Sequence, residues 1–361
     1  MPAPTWPALI RTLIAGSALR AEQAEWAMNE IMDGAVSPAR MAAFGVALRA
    51  KGETVEEMAG LAAAMLAHAT PIGVPGPVTD LVGTGGDGAQ TVNISTMATI
   101  VAASCGLRMA KHGNRAASSA CGAADVLEAL GVVIDLPPAA SAALAAEIGI
   151  AFLFAPLYHP AFRHTAPVRA ELGVPTAFNF LGPLTNPARP SSLAVGVADP
   201  RMGAVLAGVL ATRGNTALVF HGGGLDELTT TGPSTVWVVA GGTVGVTELD
   251  PLSVGITRAA LADLRGGDAA YNAAAARALL GGAPGPVRDI VVLNAAAGIA
   301  ASEGLAAVGA AIRDGADVAG ALAEEIRAGI ARASRAIDSG AAAGLLDRWA
   351  AASQRLAKAG A

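Results

Sequence analysis

From Val78 onward the chain alternates between two kinds of segment. Short apolar runs rich in β-branched residues are separated by longer stretches rich in alanine and leucine. The short runs are typical of buried strands, and the stretches between them are typical of helices. This alternation predicts an α/β fold with a mainly parallel central sheet flanked by helices. The predicted strands cover residues 78–82, 108–111, 150–154, 193–197, 216–220 and 235–239.

The N-terminal region lacks such runs, and residues 1–70 are predicted to be helical only. Thr54-x-x-Glu57 is a capping-box pattern, which marks the start of one of these helices. Residues 70–77 contain three prolines and two glycines, which is typical of a linker. A proline-rich, mostly helical segment over 160–190 interrupts the later alternation. The sequence therefore predicts a small helical part and a larger α/β part.

A glycine-rich turn, Gly83-Thr84-Gly85-Gly86-Asp87, follows the first predicted strand. Glycine tolerates positive φ, and successive N–H groups in such a turn form a concavity that binds anions. Asn93 or Ser95 is the predicted N-cap of the following helix, whose positive end would face the same anion. A ligand-free connection is the alternative, because the chain contains 44 glycines. The turn matches neither the Rossmann fingerprint nor the P-loop.

A basic loop that begins Lys111-His112-Gly113 follows the second predicted strand. Open α/β sheets bind ligands at the carboxyl ends of their strands, so this loop and the glycine turn are expected to meet. Lys111 offers a charge to a phosphate, and Asn114, Ser118 and Ser119 offer neutral donors. A solvated turn is the alternative, for His112 in particular. Together with the first motif, the loop predicts a diphosphate site.

Two adjacent carboxylates, Asp226 and Glu227, follow a third glycine turn after the predicted strand 216–220. We expect this pair to lie in an exposed loop. Mg²⁺ prefers oxygen ligands and is often shared with substrate phosphates. An acidic pair alone is more often a solvated loop, but beside a diphosphate cradle it predicts a magnesium site.

Five segments in this order resemble the anthranilate phosphoribosyltransferase family, and the resemblance covers nearly the whole chain. The N-terminal stretch 34–60 also looks like the opening helices of that family. The matching segments are DLVGTGGDGAQTVNIST (80–96), KHGNRAASSACGAADVLEALG (111–131), FAPLYHPAFRHTAPVRAELGVPTAFNFLGPLTNP (154–187), HGGGLDELTTTGP (221–233) and RDIVVLNAAAGIA (288–300).

The resemblance implies a fold and a reaction. The expected fold is a helical domain of residues 1–75 with 160–190, and an α/β domain of 76–159 with 191–361. The expected reaction moves the phosphoribosyl group of 5-phosphoribosyl 1-pyrophosphate to the amine of anthranilate, in tryptophan biosynthesis. Mg²⁺ is the implied cofactor, with two ions per active site. A homodimer formed through the helical domain is also implied.

The resemblance also implies the site residues. Arg169 is expected to hold the anthranilate carboxylate, since a guanidinium binds a carboxylate through paired hydrogen bonds. The alternative is an ion pair of Arg169 with Glu171 or Glu147. The implied metal ligands are Ser95, Asp226 and Glu227. Catalysis is assigned to Asp87, Lys111, His112 and Arg169. The implied substrate-binding residues are Gly83, Gly86, Asp87, Thr91, Asn93, Ile94, Ser95, Thr96, Lys111, His112, Gly113, Asn114, Arg115, Ala116, Ala117, Ser118, Ser119, Ala123, His159 and Arg169.

Composition excludes several other classes. The 29 acidic and 24 basic residues give a net charge of −5, so no basic field attracts nucleic acid. No uncharged apolar run reaches the ~20 residues of a membrane span, and no membrane partner is expected. The N-terminus lacks a signal-peptide pattern, and Cys105 and Cys121 suit a reducing compartment better than a disulfide framework. A cytoplasmic location is expected.

Two alternative functions stay open at this point. A pyrimidine nucleoside phosphorylase-like enzyme is similar in fold, but its Lys-His-Ser-Thr-Gly-Gly run is absent, and Asp226-Glu227 favours the transferase. A non-catalytic relative that binds nucleic acid would need a basic groove, which the charge balance disfavours.

Overall fold

The computed structural model describes residues 3–116 and 120–359. In this part of the chain, seven strands form one sheet in the order β3-β2-β1-β4-β5-β6-β7. The first five strands run parallel, whereas β6 is antiparallel to β5 and β7 is antiparallel to β6. The strands are β1 Thr79–Gly83, β2 Met109–Gly113, β3 Ile150–Phe154, β4 Ser192–Gly196, β5 Thr216–His221, β6 Ser234–Ala240 and β7 Thr243–Leu249.

The six predicted strands are confirmed with shifts of a residue or two at their ends, and the sheet is mainly parallel as expected. Strand β7 was not predicted. It forms a hairpin with β6 through Gly241 and Gly242, which both adopt positive φ. Gly-Gly is a favoured two-residue hairpin turn, so the signal was present in the sequence.

Helices cover both faces of the sheet. Four helices precede the first strand, as predicted for residues 1–70, and the last four follow one another at the C-terminal end. The helices are α1 Trp6–Ile14, α2 Ala21–Met32, α3 Pro38–Lys51, α4 Val55–Ala67, α5 Ile94–Ser104, α6 Ala123–Ala129, α7 Pro138–Ile148, α8 Ala155–Tyr158, α9 Ala166–Leu172, α10 Arg201–Thr212, α11 Ala269–Leu280, α12 Pro286–Ser302, α13 Ala306–Asp314, α14 Val318–Asp338 and α15 Ala341–Ala359.

The start of α4 has the predicted capping box. The Glu57 N–H donates to Thr54 Oγ1 at 3.3 Å, and the Thr54 N–H donates to Glu57 Oε2 at 2.9 Å. Glu57 is fully buried and also accepts from Lys51 Nζ at 2.8 Å. Glu57 therefore belongs both to the capping box and to a buried ion pair within the helical part of the molecule.

Alternate residues of the central strands enter different hydrophobic clusters. Leu193 and Val195 of β4 pack with α1–α4 and α10, whereas Ala194 packs with α5 and α12. This alternation follows from the two-residue period of a strand. The helical part is thus continuous with the core on one face of the sheet.

Residues 160–190 contain less α-helix than expected. They form α9 and the short 3₁₀ turns Pro160–Thr165, Ala177–Asn179 and Gly182–Leu184. The prolines explain this, because each removes a backbone donor and restricts the preceding residue. Phe178 and Leu181 pack in the same cluster as the N-terminal helices.

Within residues 3–116 and 120–359, no single helix is both long enough and apolar enough to span a membrane. Only α12 and α13 meet both criteria, and they do so as a pair bent by 77°.

Candidate active site

The site lies where the parallel strands β1, β2, β4 and β5 end. The loop after β5 rests directly on the ends of β1 and β4, because a Cβ at Gly83 would overlap the Asp226 carboxylate. A Cβ at Gly196 would overlap the backbone carbonyl of Asp226. Glycine at these two strand ends therefore allows the acidic loop to approach the sheet.

The glycine turn and the acidic loop are hydrogen-bonded to each other. The Gly85 N–H donates to Asp226 Oδ2 at 2.7 Å, and the Thr84 N–H donates to the Gly196 carbonyl at 3.0 Å. Gly85 and Gly86 use the positive φ that glycine tolerates, with values of 72° and 87°, whereas Gly83 ends β1 without positive φ. Asp87 accepts from the Ala89 N–H at 3.1 Å.

The acidic pair is not an exposed loop, and this prediction was wrong. Glu227 is buried, and Asp226 is half-buried. Glu227 Oε1 accepts from the Ser95 N–H at 3.1 Å, in the first turn of α5. The sequence could not show this burial, because it depends on glycines that lie far away along the chain.

The carboxylates of Asp226 and Glu227 are crowded, and the pKa values of both are raised. Burial, followed by the charge of Asp87, raises the pKa of Asp226 to about 7. Burial and the charge of Asp226 raise the pKa of Glu227, and Lys111 opposes that rise. No cluster of three or more His, Cys, Asp or Glu side chains suited to a metal occurs among the described residues. A crowded acidic pair beside the Ser95 hydroxyl fits Mg²⁺, which needs few protein carboxylates when substrate oxygens complete its shell.

Lys111 lies beneath this acidic group. Its side chain is 2% exposed, and its Nζ donates to the Leu81 carbonyl at 2.7 Å and to Ser95 Oγ at 3.1 Å. The charges of Asp80, Glu227 and Asp226 all favour its protonated form, although burial lowers its pKa. Its predicted contact with a phosphate stays a prediction, and the contact seen is with Ser95.

Asp80 was not predicted as a site residue. It is fully buried in β1, and Oδ2 accepts from Asn186 Nδ2 at 2.8 Å, whereas Oδ1 has no partner. Burial raises its pKa to about 6, and Lys111 opposes the shift. Asn186 Nδ2 also donates to the Ala110 carbonyl at 2.7 Å. The residue types gave no signal, because an aspartate in an apolar strand has many structural explanations.

His112 and His159 form a buried pair, with ring centroids 5.1 Å apart. His112 Nδ1 lies 3.3 Å from the Gly182 carbonyl, and His159 Nε2 lies 2.8 Å from the Thr185 carbonyl. A carbonyl only accepts, so these nitrogens carry the protons. His112 Nε2 is then a buried acceptor without a partner. Burial lowers the pKa of His112 to about 3 and that of His159 to about 4, so both rings are neutral at pH 7.

Arg169 projects from α9 over the ring of Phe162, with its Cζ 5.2 Å from the centroid. Burial lowers its pKa, and its Nε is buried without a hydrogen-bond partner. In the described ranges no carboxylate lies within 4.0 Å of Arg169, and Glu147 instead pairs with Arg355 at 2.5 Å. The alternative ion pair of Arg169 with Glu171 or Glu147 is therefore absent from the described residues, and the guanidinium is available to a ligand.

The loop after β2 is only partly directed at the cleft. Gly113 ends the strand, and Asn114 and Ala116 are exposed. Arg115 pairs with Asp125 at 2.9 Å and with Glu128 at 2.5 Å, so its guanidinium is turned toward α6. The substrate contact that the resemblance implied for Arg115 stays a prediction. The predicted contacts of Ala117, Ser118 and Ser119 lie outside the described residues.

The segment before α5 is fixed by other loops. Asn93 holds the N-cap position, as one of two predicted alternatives, but its side chain makes no cap bond. Instead, Nδ2 donates to the Cys121 carbonyl at 3.0 Å, and Oδ1 accepts from Asn272 Nδ2 at 2.8 Å. Asn272, far away in α11, was not predicted. Ile94 and Thr96 are buried, and their predicted contact with the substrate stays a prediction.

The remaining predicted residues border this region. Thr91 pairs with Arg265 in an isolated antiparallel bridge, which ties the glycine loop to the segment before α11. Ala123 is the first residue of α6 and lies against Gly113.

Comparison with known proteins identifies the class of protein to which this chain belongs. Residues 7–69 match the helical bundle domain of the glycosyl transferase family, and residues 75–343 match its a/b domain. The fold is thus that of a glycosyl transferase with a helical bundle domain and an a/b domain, a pentosyltransferase class of enzyme.

Its relatives narrow the class further. Anthranilate phosphoribosyltransferase of Thermobifida fusca is 56% identical over 98% of each chain, and that of Arthrobacter sp. is 55% identical over 96% of each. The crystal structure of anthranilate phosphoribosyltransferase from Thermus thermophilus has 43% identity and a TM-score of 0.86, over 96% of this chain and 99% of that one. The enzyme of Saccharomyces cerevisiae in complex with PRPP and Mg has 26% identity and a TM-score of 0.81, over 97% and 98%. The chain belongs to the anthranilate phosphoribosyltransferase family.

Proposed function

We propose that this chain transfers the phosphoribosyl group of phosphoribosyl pyrophosphate to the amine of anthranilate. The products are N-(5-phosphoribosyl)anthranilate and pyrophosphate, in tryptophan biosynthesis. One observation carries the proposal beyond the family assignment. A crowded acidic group lies at the strand ends, and Arg169 of α9 carries a guanidinium that no described carboxylate pairs with; we propose that both face one site. The first suits a metal-bound diphosphate, and the second suits an aromatic carboxylate.

The reaction forms a bond between the amine nitrogen and C1 of the ribose while the bond from C1 to the pyrophosphate oxygen breaks. The nitrogen then loses a proton to solvent. Because an aryl amine is already neutral at pH 7, no strong general base is needed before attack. Neutral His112 suits a positioning role, since its free Nε2 can accept a hydrogen bond.

Mg²⁺ supplies charge neutralisation to the departing diphosphate when it is bound. Asp226, Glu227 and the Ser95 hydroxyl are the residues that would hold it, and two ions per site are proposed. Lys111 keeps the Ser95 side chain in place through its 3.1 Å hydrogen bond. The glycine turn through Gly86 and Asp87 would surround the diphosphate.

The proposed division of the chain assigns residues 1–75 with 160–190 to the anthranilate side and the remainder to the diphosphate side. We place the protein in the cytoplasm as a homodimer formed through the helical part. Large apolar side chains on adjoining elements there are exposed, namely Ile14, Val46 and Val174. Light scattering would test the dimer, and Val46→Glu should shift it toward monomer.

An activity assay tests the reaction. Anthranilate fluorescence should fall only when phosphoribosyl pyrophosphate and a divalent metal are both present. Turnover without metal, or cleavage of thymidine with phosphate, would overturn the proposal. The phosphorylase-like alternative predicts the thymidine result, and a gel shift at physiological salt tests the nucleic-acid alternative.

A further inference from the structure

Two asparagine side chains join the start of α5 to α11. Asn272 of α11 is 2% exposed, and its Nδ2 donates to Asn93 Oδ1 at 2.8 Å. Asn272 Oδ1 accepts from the Gly267 N–H at 2.9 Å. At the other end of the link, Asn93 Nδ2 donates to the Cys121 carbonyl at 3.0 Å. The link therefore connects three segments of the chain, and its two asparagines are 179 positions apart in the sequence.

Backbone groups at its two ends fix the direction of this link. The Cys121 carbonyl only accepts, so the Asn93 amide must direct its NH₂ group there. The Gly267 N–H only donates, so the Asn272 amide must direct its oxygen there. The remaining groups, Asn272 Nδ2 and Asn93 Oδ1, are then a matched donor and acceptor. Rotation of either amide by half a turn would bring like groups together, so the link holds the Asn93 side chain in one orientation.

The segment before α11 is also attached to the loop that follows the glycine turn. The Gly266 N–H donates to the Gln90 carbonyl at 2.9 Å. A Cβ at Gly266 would lie 2.6 Å from the Thr91 carbonyl oxygen and 2.9 Å from Asn272 Oδ1, so glycine permits this close approach. Asn272 therefore lies where the loop after the glycine turn, the start of α5 and the segment before α11 meet.

The first turn of α5 carries groups that the proposed function uses. Ser95 lies two residues after Asn93, and its N–H donates to Glu227 Oε1 at 3.1 Å. Its Oγ accepts from Lys111 Nζ at 3.1 Å. A displacement of Asn93 would therefore move the Ser95 hydroxyl relative to the acidic pair with which it is proposed to hold Mg²⁺.

We infer that Asn272 is a positioning residue for the phosphoribosyl pyrophosphate side of the site. It acts through Asn93, whose fixed orientation sets the place of the first turn of α5. The inference rests on the proposed function, which assigns the start of α5 to that substrate. The hydrogen bonds of the link join residues 90–93, 121 and 264–272, whereas Arg169 belongs to the segment 160–190. Use of anthranilate should therefore depend on Asn272 much less.

Asn272→Ala tests the link in steady-state kinetics. It should raise KM for phosphoribosyl pyrophosphate about 2- to 10-fold, the effect of losing one neutral hydrogen bond, and leave KM for anthranilate unchanged. The Kd of phosphoribosyl pyrophosphate with Mg²⁺, measured by calorimetry, should rise by a similar factor. Asn215→Ala is the matched control, because Asn215 is half-buried before β5, at the opposite ends of the strands, and its Nδ2 donates to the Pro190 carbonyl at 2.8 Å. It should leave both KM values unchanged.

A double variant shows whether Asn272 acts through Asn93. Effects of residues in contact are not additive, so Asn93→Ala combined with Asn272→Ala should bind phosphoribosyl pyrophosphate no more weakly than Asn93→Ala alone. Additive losses would overturn the inference. A lower Tm of Asn272→Ala with an unchanged KM for phosphoribosyl pyrophosphate would overturn it too, because a purely structural role gives that result.

Asn272→Asp decides the question if Asn272→Ala does not fold. It keeps the shape of the side chain and the acceptor for the Gly267 N–H, but it places an oxygen opposite Asn93 Oδ1. Its KM for phosphoribosyl pyrophosphate should rise about 2-fold or more, and a normal value would overturn the inference. If the unmodified chain binds phosphoribosyl pyrophosphate but does not modify anthranilate, the proposed function is wrong, and the calorimetric comparison still tests Asn272.

Discussion

Replacement of Lys111 by methionine tests the buried charge arrangement beneath the metal side. Lys111 is 2% exposed, and the carboxylates of Asp80 and Glu227 are the buried charges that it balances. Methionine fills a similar volume but leaves these carboxylates without their cation. No described carboxylate lies within 4.0 Å of Lys111 Nζ, which donates to the Leu81 carbonyl and to Ser95 Oγ, so the cost should not exceed the about 3–5 kcal/mol of a broken buried ion pair. At about 2 °C per kcal/mol for a large chain, the expected fall in Tm is at most about 6–10 °C.

The loss of thermal stability in Lys111→Met should depend on pH. Lys111 lowers the pKa of Asp80, which burial has raised to about 6, so its removal raises that pKa further. An acid whose folded pKa lies above its unfolded value destabilises the fold as pH rises through the folded pKa. The deficit of Lys111→Met should therefore be larger at pH 8 than at pH 5, as thermal unfolding would show.

A second substitution separates stability from metal binding. Asp80→Asn together with Lys111→Met removes both charges, so much of the lost Tm should return. Lys111→Met should also raise the Mg²⁺ concentration needed for half-maximal rate, because Ser95 Oγ loses the Nζ donor. The double variant lacks the same donor, so its Mg²⁺ requirement should stay raised. Lys51→Met is the matched control, since Lys51 forms a buried pair with Glu57 away from the site. It should lower Tm and leave the Mg²⁺ concentration for half-maximal rate unchanged. A Lys111→Met variant with the original Tm at pH 8, or a double variant with normal Mg²⁺ dependence, would refute the reasoning.

Three further substitutions test other parts of the site. Arg169→Ala should lower kcat/KM for anthranilate about 10- to 100-fold through the loss of a charged hydrogen bond, with little change in KM for phosphoribosyl pyrophosphate; an equal loss for both substrates in steady-state kinetics would contradict this. The metal-free protein should melt at higher temperature at pH 6 than at pH 8, because the pKa of Asp226 is raised to about 7, and Asp226→Asn should reduce this difference in a fluorescence melting series. Gly196→Ala should displace the acidic loop, so its Mg²⁺ requirement should rise, and a normal metal titration would count against the packing argument.

The sheet could be predicted because its signals are local. Short β-branched runs between alanine-rich stretches indicate a parallel sheet, and each run alone is enough to identify a strand. The antiparallel end was missed, although Gly241-Gly242 marks the hairpin. Strand β7 is one of the two edge strands, and its residues alternate in burial without forming a continuous apolar run. Its identity depends on pairing with β6, and periodicity alone did not reveal it.

The residue types of the site were also visible in the sequence, but their electrostatics were not. Asp226 and Glu227 follow a glycine turn, and any such pair is expected in solvent. They are buried because Gly83 and Gly196, from two other strands, leave space for their loop. Burial of a charge depends on such distant packing, which a single sequence does not encode in any local pattern.

The same reasoning explains why Asp80 and Asn186 were missed. A buried carboxylate is stable only if other groups offset its desolvation, and here Asn186 and Lys111 do so from distant segments of the chain. Asn186 follows the segment that holds the carbonyls facing His112 and His159. One hydrogen bond from Asn186 to Asp80 therefore connects the wall near the histidines to the strand beneath the metal side. Lys111 continues that connection to Ser95. Asp80 and Asn186 therefore join two parts of the proposed reaction site although neither is assigned a contact with a substrate, so their contribution can be found only from the folded arrangement.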